Sequence, residues 1–118
     1  MIRVWLAVAG LGGALSVAAG ALAAHLADDP KAAELLRTGA LYGMVHAAAL
    51  LAVVAIGVRS RAVRVAAWSF AAGIVLFSGS LFALAGGAPR WLGWVTPFGG
   101  VALIIGWTAL ASLAVRRR

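Results

Sequence analysis

The sequence predicts an all-α, polytopic membrane protein: a four-helix transmembrane bundle with both termini on the cytoplasmic side. Three observations predict it. The 118 residues are 64% hydrophobic and only 11% charged, whereas a soluble domain is about half apolar and a quarter charged. The charges stand between long uncharged runs instead of being interspersed, which is the pattern of membrane spans. Basic residues also gather at alternate breaks. Arg3, Arg59, Arg61, Arg64 and Arg116 to Arg118 fall on one side, while Lys31, Arg37 and Arg90 share the other with Asp28, Asp29 and Glu34. The positive-inside rule assigns the first set to the cytoplasm.

Residues 1–118 read as one domain with spans at about 4–25, 40–58, 65–87 and 91–115. The net charge of +7 does not indicate nucleic acid, because no basic stripe interleaves with stacking aromatics and the arginines sit at span ends. The absence of cysteine excludes disulfides, thiolate metal sites and thiol chemistry.

Val4 to Ala24 is uncharged. At about 1.5 Å per residue it covers the roughly 30 Å of a bilayer core. A cleaved signal peptide is the competing interpretation, with Arg3 as its basic region and Ala21-Leu22-Ala23 as a cleavage site, but the apolar run exceeds an ordinary signal core. Gly12, Ser16, Gly20 and Ala24 recur every fourth position and predict a seam that admits another helix closely. Gly10-Leu11-Gly12 lacks the strand and βαβ setting of a dinucleotide loop.

Asp28-Asp29-Pro30 ends the first helix and starts the second, with Asp29 as N-cap and Pro30 at the first helical position, where its missing N–H costs nothing. The second helix is expected to run to Val58. That is longer than hydrocarbon requires, so residues 30–39 are assigned to the interface. Glu34, Thr38, Tyr42 and His46, four apart, form a polar stripe on one face. Gly39 and Gly43 mark a bend or a close helix contact.

The third run, Val65 to Ala88, carries Ser69, Gly73, Leu76, Ser80, Ala83 and Gly87 at alternating spacings of four and three, a second packing seam. Gly86-Gly87-Ala88-Pro89-Arg90 is the turn. The fourth run, Trp91 to Val115, is interrupted by Pro97, where a kink is expected because a backbone hydrogen bond is lost and a carbonyl near position 93 is freed. Gly99 and Gly100 follow as packing residues. Trp5 and Trp68 are assigned to the cytoplasmic interface and Trp91 and Trp94 to the opposite one.

Counting from span ends brings His25, Tyr42, His46, Ser78, Ser80 and Thr96 to one level, a polar cluster in the outer third of the bundle above a dry, small-residue remainder. Ionisable groups inside a membrane are costly and direct attention to this cluster. The simplest role is neutral histidines acting as interhelical glue, bonded to Ser80, Thr96 or a freed carbonyl. A metal site of His25, His46 and Asp28 or Asp29 competes with the capping role of Asp29 and lacks a His-x-x-x-His pair, so no metal or other cofactor is expected. A proton file of Glu34, Tyr42 and His46 would stop at mid-membrane. No carboxylate orients a histidine near Ser78 or Ser80, and no nucleophile elbow is present, which argues against a hydrolase.

Gly20-Ala21-Leu22-Ala23-Ala24-His25, Thr38-Gly39 with Tyr42, Met44 and His46-Ala47, then Phe77-Ser78-Gly79-Ser80-Leu81, and Trp91-Leu92-Gly93 with Thr96-Pro97-Phe98-Gly99-Gly100 occur in the order of a known pattern. Over essentially its whole length the chain resembles the YgdD and transmembrane-protein-256 family, a domain of unknown function. Leu26 stands where family members often have a small residue. The resemblance implies a four-span protein of the bacterial inner membrane, or a mitochondrial one in eukaryotes, and argues against signal cleavage. It supplies no catalytic or binding residues.

The function expected is that of a non-enzymatic accessory or interaction protein. Its surroundings are the lipid bilayer and its partner is a membrane protein or further copies of itself. The alternative is a small transporter or an ion- or ligand-binding protein that uses the polar cluster.

Overall fold

The computed structural model describes residues 2–25 and 28–115. Four helices are each long and apolar enough to cross a membrane: α1 (Ile2–His25), α2 (Pro30–Ile56), α3 (Arg61–Ala85) and α4 (Arg90–Val115). The described residues contain no strand. Leu26 and Arg116 to Arg118, which carry part of the family pattern and of the charge asymmetry, lie outside them.

Local chemistry sets the helix ends. Asp29 caps α2, its carboxylate accepting from the Lys31 amide at 3.1 Å, with Pro30 in the first turn. The helix then runs unbroken past Gly39 and Gly43, both buried, and stops at Gly57, whose φ of 101° suits a residue without a side chain. Those glycines therefore serve close contact, not a bend. Ser60 caps α3, accepting from the Val63 amide at 3.2 Å.

Helices α2 and α3 are the central pair, α1 packs mainly on α2, and α4 packs mainly on α3. On α1 the buried residues are Trp5, Ala9, Ser16, Ala19 and Ala23, with Gly12 and Gly20 beside them. Ala24 is exposed. The seam alternates threes and fours because an α-helix drifts off a strict four-residue spacing. Trp5 turns into the bundle: it is 2% exposed and makes an edge-to-face contact with Trp68 at 4.9 Å, leaving Trp68 outermost. The half of the bundle near the termini is filled by Trp5, Leu50, Val53 and Phe70 packed among Ala9, Ala49, Ala66 and Ala67, so large side chains share it with small ones.

Helix α3 is not uniform. It is α-helical over Arg61–Gly73, widens to a π turn over Ile74–Ser78, and resumes as α over Gly79–Ala85. Across the widened turn the Gly79 amide reaches back five residues to the Ile74 carbonyl. Helix α4 begins as a 3-10 segment, Arg90–Trp94, and becomes α at Val95. Pro97 thus lies in the first turn of the α-helical part, where amides lack i−4 partners in any case, and the change of helix type precedes it.

Candidate functional site

Contacts between helices fix the depth of each polar group. On the α3–α4 side, Gly73 faces Leu103, Gly99 faces Phe77, Gly106 faces Phe70 and Ser80 meets Thr96. All four share one antiparallel register. On the α1–α2 side, Gly13 faces Ala47 and Gly20 faces Ala40.

His46 is about 24 Å along α2 from Pro30, level with Gly13 of α1 and with the beginning of the π turn. That is the middle of the bundle. Ser78, Ser80 and Thr96 stand one to two turns nearer the end that carries Asp28, Asp29 and Glu34. His25 is exposed at the last residue of α1, about 17 Å from the level of His46 by the same register. The structure therefore divides the six polar residues among three levels instead of collecting them at one. The discrepancy arises because α2 is one continuous helix from Pro30, which carries His46 deeper than its count from the span end suggests.

The deepest level holds His46, which is 4% exposed. Its Nδ1 lies 2.7 Å from the Tyr42 carbonyl and its Nε2 lies 2.9 Å from Nε1 of Trp107 on α4. An indole N–H only donates and a carbonyl only accepts, so the imidazole is neutral, with its proton on Nδ1 and its lone pair on Nε2 turned to Trp107. Around it stand Phe70, with ring centroids 5.5 Å away, and Tyr42, stacked at 6.2 Å, while Tyr42 also packs on Phe77 at 4.8 Å. Tyr42 is 42% exposed. The stripe from Glu34 to His46 is accordingly wet or lipid-facing at one end and buried at the other.

The middle level belongs to the π turn. The Ser78 hydroxyl donates to the Gly39 carbonyl at 2.7 Å, joining α3 to α2. The Ser80 hydroxyl donates to the Phe77 carbonyl at 3.0 Å, which spends its only hydrogen. Thr96 is therefore the donor in the Ser80–Thr96 contact at 2.5 Å. Ser16, 1% exposed, has no partner for its hydroxyl among the described residues and lies against Gly43.

Gly99 shows how the turn is held. A methyl group added there would collide with the Phe77 amide nitrogen, and would approach the Leu76 carbonyl carbon to 2.8 Å. The two backbones touch, and the widened turn of α3 seats in the notch left by Gly99. Gly100 is less constrained, with the Phe77 ring 3.8 Å from such a methyl.

Two participants have no sequence signal that identifies them. Trp107 reads as an aromatic residue at an unassigned depth, and only the helix register shows that its N–H meets His46. The π turn lies in an apolar run, Ile74-Val75-Leu76-Phe77, where hydropathy is blind to backbone type. Among the described residues no three His, Cys, Asp or Glu side chains converge to hold a metal ion.

Fold and polar geometry together define a small polytopic helical membrane protein whose helices are joined by the hydrogen bonds Ser78–Gly39, Ser80–Thr96 and Trp107–His46. The family described as "Protein of unknown function (DUF423)" matches residues 19–100. A UPF0382 membrane protein of Haemophilus influenzae is 41% identical over 111 residues, covering 91% of this chain and 90% of the relative. The UPF0382 membrane protein YwdK of Bacillus subtilis is 37% identical, with 98% of each chain covered. The UPF0382 inner membrane protein YgdD of Escherichia coli K12 is 38% identical, covering 97% of this chain and 91% of the relative. No solved structure matches. The chain belongs to this family of membrane proteins of unknown function.

Proposed function

We propose that the protein is a non-enzymatic accessory or interaction component of the bacterial inner membrane, with both termini in the cytoplasm, that meets its partner through an outward helix face. The observation that carries this is the face of α1 turned away from the bundle. Ala7, Gly10, Ala14, Ala18 and Ala21 follow one another there and all are exposed, and a side chain added at Gly10 would meet nothing within 4 Å. The glycines Gly39, Gly43, Gly73, Gly99 and Gly106 are already consumed inside the bundle. Small residues let membrane helices approach closely, so this stripe remains available to a second membrane protein or another copy of the chain. The arginines near the termini suit the anionic cytoplasmic leaflet.

Native mass spectrometry of the protein gently extracted from its own membrane tests the proposal. A stoichiometric protein partner or homo-oligomer that is lost in Gly10→Leu is the expected result. A monomer in both proteins would overturn it. Cysteines placed near either terminus and labelled from the outside of intact cells would overturn the orientation.

A further inference from the structure

The aromatic groove beside His46 goes beyond the interaction role. A groove of about 380 Å³ lies between α2 and α4, with Tyr42, His46, Phe77 and Trp107 among its walls and Gly100 in its lining. Its mouth faces lipid, since Tyr42 is 42% and Trp107 46% exposed. Four features constrain what could occupy it.

First, it sits at the middle of the spans, level with Leu103 and Gly73, about 15 Å from either end of a hydrocarbon core. A phospholipid headgroup cannot reach it. Second, its aromatic walls favour a flat ring, because rings pack offset or edge-on with centroids about 4.5–7 Å apart. Third, no charged side chain lines it, so its occupant is neutral. Fourth, its polar inventory is nearly spent. Both nitrogens of His46 and the N–H of Trp107 are bonded to protein. The Tyr42 hydroxyl alone has no protein partner among the described hydrogen bonds, and it offers an O–H.

The geometry points to a binding site for a neutral, lipid-soluble carbonyl-bearing ring on a hydrocarbon tail, the isoprenoid-quinone class. The ring lies between the aromatic walls and a ring carbonyl accepts from Tyr42. The tail leaves through the mouth along Ile104, which is 65% exposed. No redox step is part of this assignment.

The test is photolabelling of the protein in nanodiscs of saturated phospholipid with an azido-benzoquinone carrying two isoprene units, followed by peptide mapping and competition. Saturable labelling near Tyr42, Phe77 or Trp107 is expected, competed by unlabelled benzoquinone of the same tail and not by the ringless isoprenoid alcohol. Tyr42→Phe should weaken competition about fivefold, the value of one hydrogen bond, and Gly100→Leu should abolish labelling by filling the groove. Should Gly100→Leu lower the unfolding midpoint, Ile104→Trp at the mouth replaces it, with the same expected loss. Equal competition by the ringless alcohol would mean that the groove takes hydrocarbon only and would overturn the assignment. Unsaturable labelling, or labelling indifferent to both groove-filling variants, would overturn it too.

Discussion

The two outer helices join the central pair through seams of similar composition and different tightness. Between α3 and α4, glycine is a geometric requirement. A methyl at Gly99 would enter the backbone of the π turn, one at Gly73 would strike Leu103 and lie 3.2 Å from the Gly99 carbonyl, and one at Gly106 would reach the Phe70 ring at 2.5 Å. Between α1 and α2 the same test divides the seam: the contacts are ordinary at 3.7 Å from Gly20 to Ala40 and 3.9 Å from Gly13 to Ala47, whereas a methyl at Gly43 would collide with the Ser16 side chain. Small residues therefore announce that a helix can come close; they do not say how close. The difference follows from what each glycine faces: backbone at Gly99, bulky side chains at Gly73 and Gly106, a hydroxyl at Gly43, and only a methyl group at Gly13 and Gly20.

The largest effect is expected where the obstacle cannot rotate away. In Gly99→Ala the new methyl meets the Phe77 amide and the Leu76 carbonyl carbon, so relief requires the helices to separate or the π turn to close. Either change disturbs Ser80–Thr96 on the same face. A loss of about 3 kcal/mol or more is expected, at or above the usual range for overpacking, read as the unfolding midpoint in mixed micelles of mild detergent and SDS. Gly106→Ala faces a ring edge that can tilt, so its cost should be smaller, about 1–2 kcal/mol. Equal costs for the two would mean that backbone contact at the π turn is not what sets Gly99 apart.

Much of this architecture is legible in the sequence because it depends on hydropathy and punctuation. The four runs, the cap at Asp29 with Pro30, the turn after Gly86 and the small-residue faces follow from residue type at fixed spacing. The depth of His46 does not, because depth depends on where the neighbouring helices sit along the axis, and that register is a tertiary property. The π turn is hidden for a related reason. One extra residue per turn changes which side chains face inward after Gly73 without changing composition. Ser78 thus reaches the Gly39 carbonyl of α2 while Ser80 turns to Thr96 of α4. Pro97 shows the converse: it is visible in sequence, but its effect depends on the 3-10 segment just before it.

The link between α2 and α4 at His46 offers a cleaner chemical test than either seam. His46→Leu removes the acceptor for Trp107 Nε1 and the donor to the Tyr42 carbonyl. The interhelical bond alone is worth about 1 kcal/mol in a membrane setting, and an unpaired indole adds to that. His46→Gln keeps an acceptor near the position of Nε2 and should retain most of the stability, whereas His46→Asn, which mimics only the Nδ1 side, should resemble the leucine variant. Identical midpoints for leucine and glutamine would show that shape, not hydrogen bonding, is what position 46 supplies.

The smallest expected effect has the opposite sign and bears most directly on the comparison of the seams. Gly20→Ala places its methyl 3.7 Å from the Ala40 methyl, an ordinary van der Waals distance, and replaces a residue that disfavours helix interiors by about 0.5–1 kcal/mol relative to alanine. Little of that preference is recovered in hydrocarbon, where the unfolded reference is itself largely helical. The variant should therefore match the parent or gain about 0.5 kcal/mol or less, in the same mixed-micelle measurement. A loss above about 1 kcal/mol would mean that Gly20 is held as closely as Gly43 and Gly99, and the distinction between a permissive and an obligatory glycine would disappear.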